Sequence, residues 1–127
     1  MTKEARQVRR IEFDLPLPPS VNQLYPGKVR RHKSDKYYAW EREADVAAHA
    51  QRLVRAQWDP TDHFWRLEIK CYMADKRRDV DNTLKAGIDF IADFFALQDT
   101  RVRRILIERD WDKHEEQRWE VILEIEE

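Results

Sequence analysis

Trp119, Val121, Leu123 and Ile125 alternate with Glu120, Glu124 and Glu126, and this two-residue period constrains the fold more than any other stretch of the chain. Successive side chains of a strand point to opposite faces, so such a period builds a sheet with one buried face and one charged face. Ile11, Phe13 and Leu15 alternate in the same way with Glu12 and Asp14, ending at Pro16. From Phe64 to Met73, Trp65, Leu67, Ile69, Cys71 and Met73 share one face, with Arg66, Glu68, Lys70 and Tyr72 opposite. A further strand is predicted over 101–111 and the last over 118–126, with Lys113-His114-Glu115-Glu116 joining these two as a hairpin.

Two segments carry the helical period instead. Ser34 or Asp35 can cap a helix running to about Ala56, with Tyr37, Trp40, Ala44, Ala47, Gln51 and Val54 along one side and Asp59-Pro60 as its breaker. A second helix is predicted from Asp81 to about Phe95, with Leu84, Ile88, Ile91 and Phe95 as its core stripe. Pro16, Pro18 and Pro19 forbid helix and interior strand at the head of a long loop that continues to Lys33. The predicted class is α+β, a small mixed sheet with two main helices on one face, in the order β-α-β-α-β-β. With 127 residues and no repeat or linker, residues 1–127 read as a single domain.

Composition narrows the function. No apolar run approaches the ~20 residues of a membrane span, and Met1–Arg6 has no signal-like apolar stretch. With one cysteine, Cys71, no intrachain disulfide forms, and a cytoplasmic setting is expected, in a cell or in a phage host. Two glycines leave no Gly-rich phosphate loop, so no nucleotide cofactor is expected. His32, His49, His63 and His114 lack metal-finger spacing. The net charge is −1, but residues 1–36 hold nine Lys/Arg against four Asp/Glu, and residues 107–127 hold three against nine. A nucleic-acid binder needs a local basic face rather than a basic total; the same blocks are also what a solvated surface shows.

Chemistry concentrates in Asp75-Lys76-Arg77-Arg78-Asp79-Val80-Asp81-Asn82-Thr83-Leu84-Lys85. Asp79 and Asp81, two apart at a helix start, point to one side of a turning backbone and can converge on a hard cation such as Mg²⁺. Lys85 follows Asp81 by one helical turn, and Asp89 continues that row. Asp99, in Leu97-Gln98-Asp99-Thr100-Arg101-Val102, is a third available carboxylate, and spacing does not say whether it returns to the helix start. Taken alone, aspartates at a helix start are more often caps than ligands. The adjoining Lys76-Arg77-Arg78 suits phosphate, although surface ion pairs give the same pattern.

These residues resemble the RusA family of Holliday junction resolvases. Pro16-Leu17-Pro18-Pro19-Ser20-Val21-Asn22 is similar to the family's opening Pro-x-Pro-Pro-Ser-x-Asn. Arg78-Asp79-Val80-Asp81-Asn82-Thr83-Leu84-Lys85 is similar to its catalytic Arg-Asp-x-Asp-Asn-x-x-Lys. Leu97–Val102 follows its Leu-x-Asp-x-x-Val, with Gln98 where a second aspartate often stands. All three occur in order between about residues 11 and 126. The resemblance implies a homodimeric, Mg²⁺-dependent resolvase of four-way DNA junctions, with Mn²⁺ as an alternative ion. It implies that Asp79, Asp81 and Asp99 bind metal, and that Lys85 assists them in catalysis at the phosphate. The loop holding Asn22 would lie near DNA. Lys28, Arg30, Arg31, Lys33, Lys76, Arg77 and Arg78 would contact phosphates, and Tyr25, Tyr37 or Tyr38 can stack on bases, although Tyr37 falls on an apolar helix side. Competing expectations are a catalytically silent branched-DNA-binding module, a less selective branch or flap nuclease, and a structural protein whose Asp pair only caps a helix.

Overall fold

The computed structural model describes residues 7–20, 35–57, 61–74, 80–110 and 117–127. Four strands form one mixed sheet: β1 (Val8–Pro16), β2 (Trp65–Tyr72), β3 (Val102–Asp110) and β4 (Arg118–Glu126), in the order β1-β4-β2-β3. Two helices accompany it: α1 (Asp35–Ala50), and α2 (Leu84–Phe94), which a 3₁₀ turn at Val80–Thr83 precedes. The α+β class and the element order are those the periodicity predicts.

The period-two strands bury the expected faces. Trp65, Leu67, Ile69 and Cys71 of β2, Trp119, Val121, Leu123 and Ile125 of β4, and Phe13 and Leu15 of β1 all lie in the core. The helices cover this face. The Trp40 ring meets Phe90 edge-on at 5.6 Å, and Gly87 lies so close to the Trp119 ring that a Cβ there would collide with it. Arg55 ties the chain after α1 to α2, pairing with Asp45 at 2.7 Å and Asp93 at 2.6 Å.

Three local expectations need correction. β3 and β4 do not form a hairpin: β2 lies between them, parallel to β3 and antiparallel to β4. The central place goes to β4 because its four large apolar side chains are best buried between two neighbours, whereas β3 carries Arg103, Arg104 and Glu108, which are exposed at an edge. Helix α1 ends at Ala50 rather than Ala56. Arg52 takes a left-handed φ of 64°, and the Leu53 N–H donates to Ala48 O, which reverses the chain and leaves Val54 exposed. In α2, the most buried row is Ala86, Gly87, Phe90, Ile91 and Phe94, while Leu84 and Ile88 are only half-buried. The helix is rotated from its predicted stripe because Gly87 lets the Trp119 ring approach the backbone.

The free side of β1 is closed by a side chain. The Gln51 amide accepts from Asp14 N at 2.6 Å and donates to Asp14 O at 2.7 Å, as a neighbouring strand would. Gln51→Ala is expected to lower stability by about 1 kcal/mol, read as a shift in the urea midpoint together with faster amide exchange at Asp14.

Candidate catalytic edge

Strands β2 and β3 run parallel, joined by the 3₁₀ turn and α2 as a crossover. Their carboxyl ends therefore share one edge of the sheet, with Tyr72 opposite Asp110, and the 3₁₀ turn packs against β3. Such an edge is where α/β units present their ligand sites, because the following turn and helix start open outward there.

The point where the chain leaves β2 is fixed by three side chains. Tyr72 donates its hydroxyl to Glu120 at 2.9 Å. Arg109 reaches Met73 O at 2.9 Å, and Gln117 accepts from Ala74 N at 3.3 Å. Burial and then the bond to Glu120 push the Tyr72 phenol up to about 12, so it remains a donor at neutral pH. Burial alone would raise the Glu120 carboxyl, but the hydrogen bonds from Tyr72 and Arg118 outweigh it and hold the group below the usual carboxylate value.

Asp81 lies within the 3₁₀ turn, with its backbone two residues before the cap position of α2. That cap is Thr83, which is fully buried and makes no side-chain cap bond. Its hydroxyl donates instead to Val80 O at 2.7 Å. One turn beyond Asp81, Lys85 is exposed and its Nζ lies 3.1 Å from Asp89 Oδ1.

Asp99 stands elsewhere. The backbone reverses at Ala96, with φ 54°, and Leu97 N–H donates to Ala92 O at 2.8 Å. Asp99 then opens a short 3₁₀ turn beside the amino end of β2, where Trp65 Nε1 donates to Gln98 O at 2.8 Å and Gln98 Nε2 to Asp62 at 3.0 Å. Asp81 and Asp99 thus occupy opposite ends of α2, roughly 20 Å apart at 1.5 Å per helical residue. Ligands of one Mg²⁺ each sit about 2 Å from it, so these two residues of a single chain do not share an ion.

Of the other expected site residues, Asp79, Lys76, Arg77, Arg78, Asn22, Lys28, Arg30, Arg31 and Lys33 lie outside the described residues, as does Tyr25. Tyr37 is core, 2% exposed, and Tyr38 is exposed near the start of α1. Asp110 and Arg109 also lie at this carboxyl edge. Pairing β3 with β4 hid them, and the strand–helix–strand order of β2, α2 and β3 was the signal that places them there.

Hard oxygen donors make up the motif, with no thiolate or imidazole among them, which suits a divalent cation such as Mg²⁺. Among the described residues no three such ligands gather. None of the described helices is long and apolar enough to cross a membrane.

The described residues thus form an α+β domain in which an acidic 3₁₀ turn leads into a helix with an exposed lysine at the carboxyl edge of a parallel strand pair. The family model for endodeoxyribonuclease RusA matches residues 16–126. The chain belongs to the RusA family of endodeoxyribonucleases, which act on Holliday junctions. No individual curated protein matches it.

Proposed function

We propose that the chain is a Mg²⁺-dependent, structure-selective endodeoxyribonuclease that resolves four-way DNA junctions as a homodimer, serving recombination and repair in the cytoplasm. The observation that carries this reading is the placement of Asp81 and Lys85, one helical turn apart, at the carboxyl edge of β2 and β3 in a member of the RusA family.

Asp79, Asp81 and Asp99 would hold the cation. When bound, it supplies Lewis-acid polarisation of the phosphodiester and a water of lowered pKa. The ammonium of Lys85, restrained by Asp89, donates to a non-bridging phosphate oxygen and offsets the charge that grows there. Lys76, Arg77, Arg78 and the basic segment Lys28–Lys33 neutralise neighbouring phosphates and set the register of the duplex arms. The distance between Asp81 and Asp99 supports a site to which two copies contribute, and a two-fold dimer sets two such sites against symmetry-related strands of the junction.

A synthetic four-way junction incubated with the full chain in Mg²⁺ is expected to give symmetrically paired nicks, with linear duplex uncut. Absence of cutting in both Mg²⁺ and Mn²⁺ would leave a silent branched-DNA binder. Equal cutting of flaps and junctions would leave a less selective branch nuclease. Lys85→Met is expected to slow cutting about tenfold to a hundredfold, the effect of one hydrogen bond from a charged donor. Because a phosphate contact is lost, the slope of log affinity against log salt should also flatten by about one unit.

A further inference from the structure

We infer that Asp89 is the positioning residue of Lys85: from a fixed place beside α1 it holds the ammonium in the orientation in which it meets the phosphate. This rests on the nuclease reading above and adds to it a residue that acts only through Lys85. Helix physics alone does not account for the pair. Lys85 Nζ donates to Asp89 Oδ1 at 3.1 Å, one turn further along α2. A lysine followed by a carboxylate is the less favourable order, because it sets the negative group toward the negative end of the helix dipole. Aspartate is also among the weaker helix formers. The last turn of α2 holds no basic residue, and Asp93 adds a second carboxylate there. For the helix by itself, most other residues would serve better at position 89.

The tertiary structure supplies the reason. The Asp89 side chain is 16% exposed and that of Lys85 48%, so the carboxylate is the held partner and the ammonium the reaching one. Helix α1 packs beside Asp89, since the Trp40 ring meets that of the adjacent Phe90. One turn before Trp40, Tyr37 is buried, and its phenol is pushed above its ordinary value by burial first, then by Glu41, Asp89 and Asp93. The charge of Asp89 is therefore felt inside the seam between the helices, where close packing holds the group in place. An unanchored lysine samples many rotamers, and ordering it during the reaction costs entropy. A carboxylate that stays in place reduces that cost before the phosphate arrives. An ammonium carries three N–H donors, so a bond to Asp89 is compatible with one to a non-bridging phosphate oxygen. Asp93, one turn further on, is bound instead by Arg55 at 2.6 Å and provides a control on the same helix.

Single-turnover cutting of a four-way junction by the full chain in Mg²⁺ tests this, with junction affinity measured in Ca²⁺. Asp89→Asn is expected to slow cutting about tenfold, the scale of effect of a misplaced catalytic group, with affinity within about twofold of wild type. Asp89→Glu keeps the charge and should restore most of the rate. The decisive sample is the double variant: in a Lys85→Met background, Asp89→Asn should change the rate by less than about twofold, because the group it positions is gone. Asp93→Asn should lower Tm and leave the rate unchanged. Should Asn at position 89 prevent folding, Asp89→Ser, smaller and uncharged, replaces it in the cycle. A second readout does not use cleavage. Reductive methylation followed by peptide mass spectrometry should show Lys85 reacting about threefold faster in Asp89→Asn, relative to the exposed Lys36, because an ion-paired ammonium gives up its proton less readily. An Asp89→Asn rate equal to wild type, an equal slowing in both backgrounds, a matching slowing by Asp93→Asn, or unchanged Lys85 reactivity each overturns the inference. A wild type that cuts, with any of these results, defeats this inference alone. A wild type that cuts nothing defeats the nuclease reading, and the role of Asp89 falls with it even where the methylation result shows the ion pair.

Discussion

Asp81→Asn is expected to lower four-way junction cutting by at least about a hundredfold while leaving junction binding within a few fold of wild type. The substitution keeps the size and shape of the side chain and removes its charge. A carboxylate that holds a catalytic cation contributes several kcal/mol of transition-state stabilisation, and each 1.4 kcal/mol is a factor of ten in rate. Binding rests on Lys and Arg contacts to phosphate, which Asn does not alter. If Asp81 served only a structural role in its turn, the same change would shift stability by no more than about 1 kcal/mol and leave cutting intact. Single-turnover cleavage at saturating protein, beside a gel-shift titration in Ca²⁺, separates the two results.

The second large effect is on stability. Gly87→Ala is expected to cost about 1–3 kcal/mol. In a chain of this size that is roughly 3–10 °C in Tm. In an exposed helix the same change would stabilise by up to about 1 kcal/mol, since alanine is the better helix former. Here the added Cβ meets the six-membered ring of Trp119, which is fully buried between α2 and the centre of the sheet. Close-packed interiors do not yield to an extra methyl without shifting neighbours. The contact itself is isolated by a double-mutant cycle: in a Trp119→Leu background the ring is gone, and Gly87→Ala should become neutral or mildly stabilising. An equal loss of Tm in both backgrounds would show that the close approach is not what Gly87 serves.

The two edges of this sheet were not distinguishable before the strands were ordered. Alternation marks which residues of β4 and β2 face the core, and the observed faces follow it residue by residue. Alternation is silent about neighbours, so a short connection between β3 and β4 suggested a hairpin where β2 in fact intervenes. Helix ends suffered similarly. The left-handed Arg52 that stops α1 has no glycine or proline to announce it, and only the docking of Leu53 and Ala56 onto neighbouring backbone makes that turn favourable.

For the candidate site, the chain's own order of residues determined the motif: two aspartates two apart, a lysine four residues later, and basic neighbours. It likewise determined the charge pattern and the buried faces, because period and composition are local properties. The tertiary structure decided what depends on partners distant in sequence. It set the turn holding Asp81 at the carboxyl edge of a parallel pair, carried Asp99 to the far end of α2, and placed β3 beside β2 rather than β4. The physical reason is that a strand's period is fixed by its own backbone, whereas its neighbours are chosen by which arrangement buries the most apolar surface and pairs the most backbone groups.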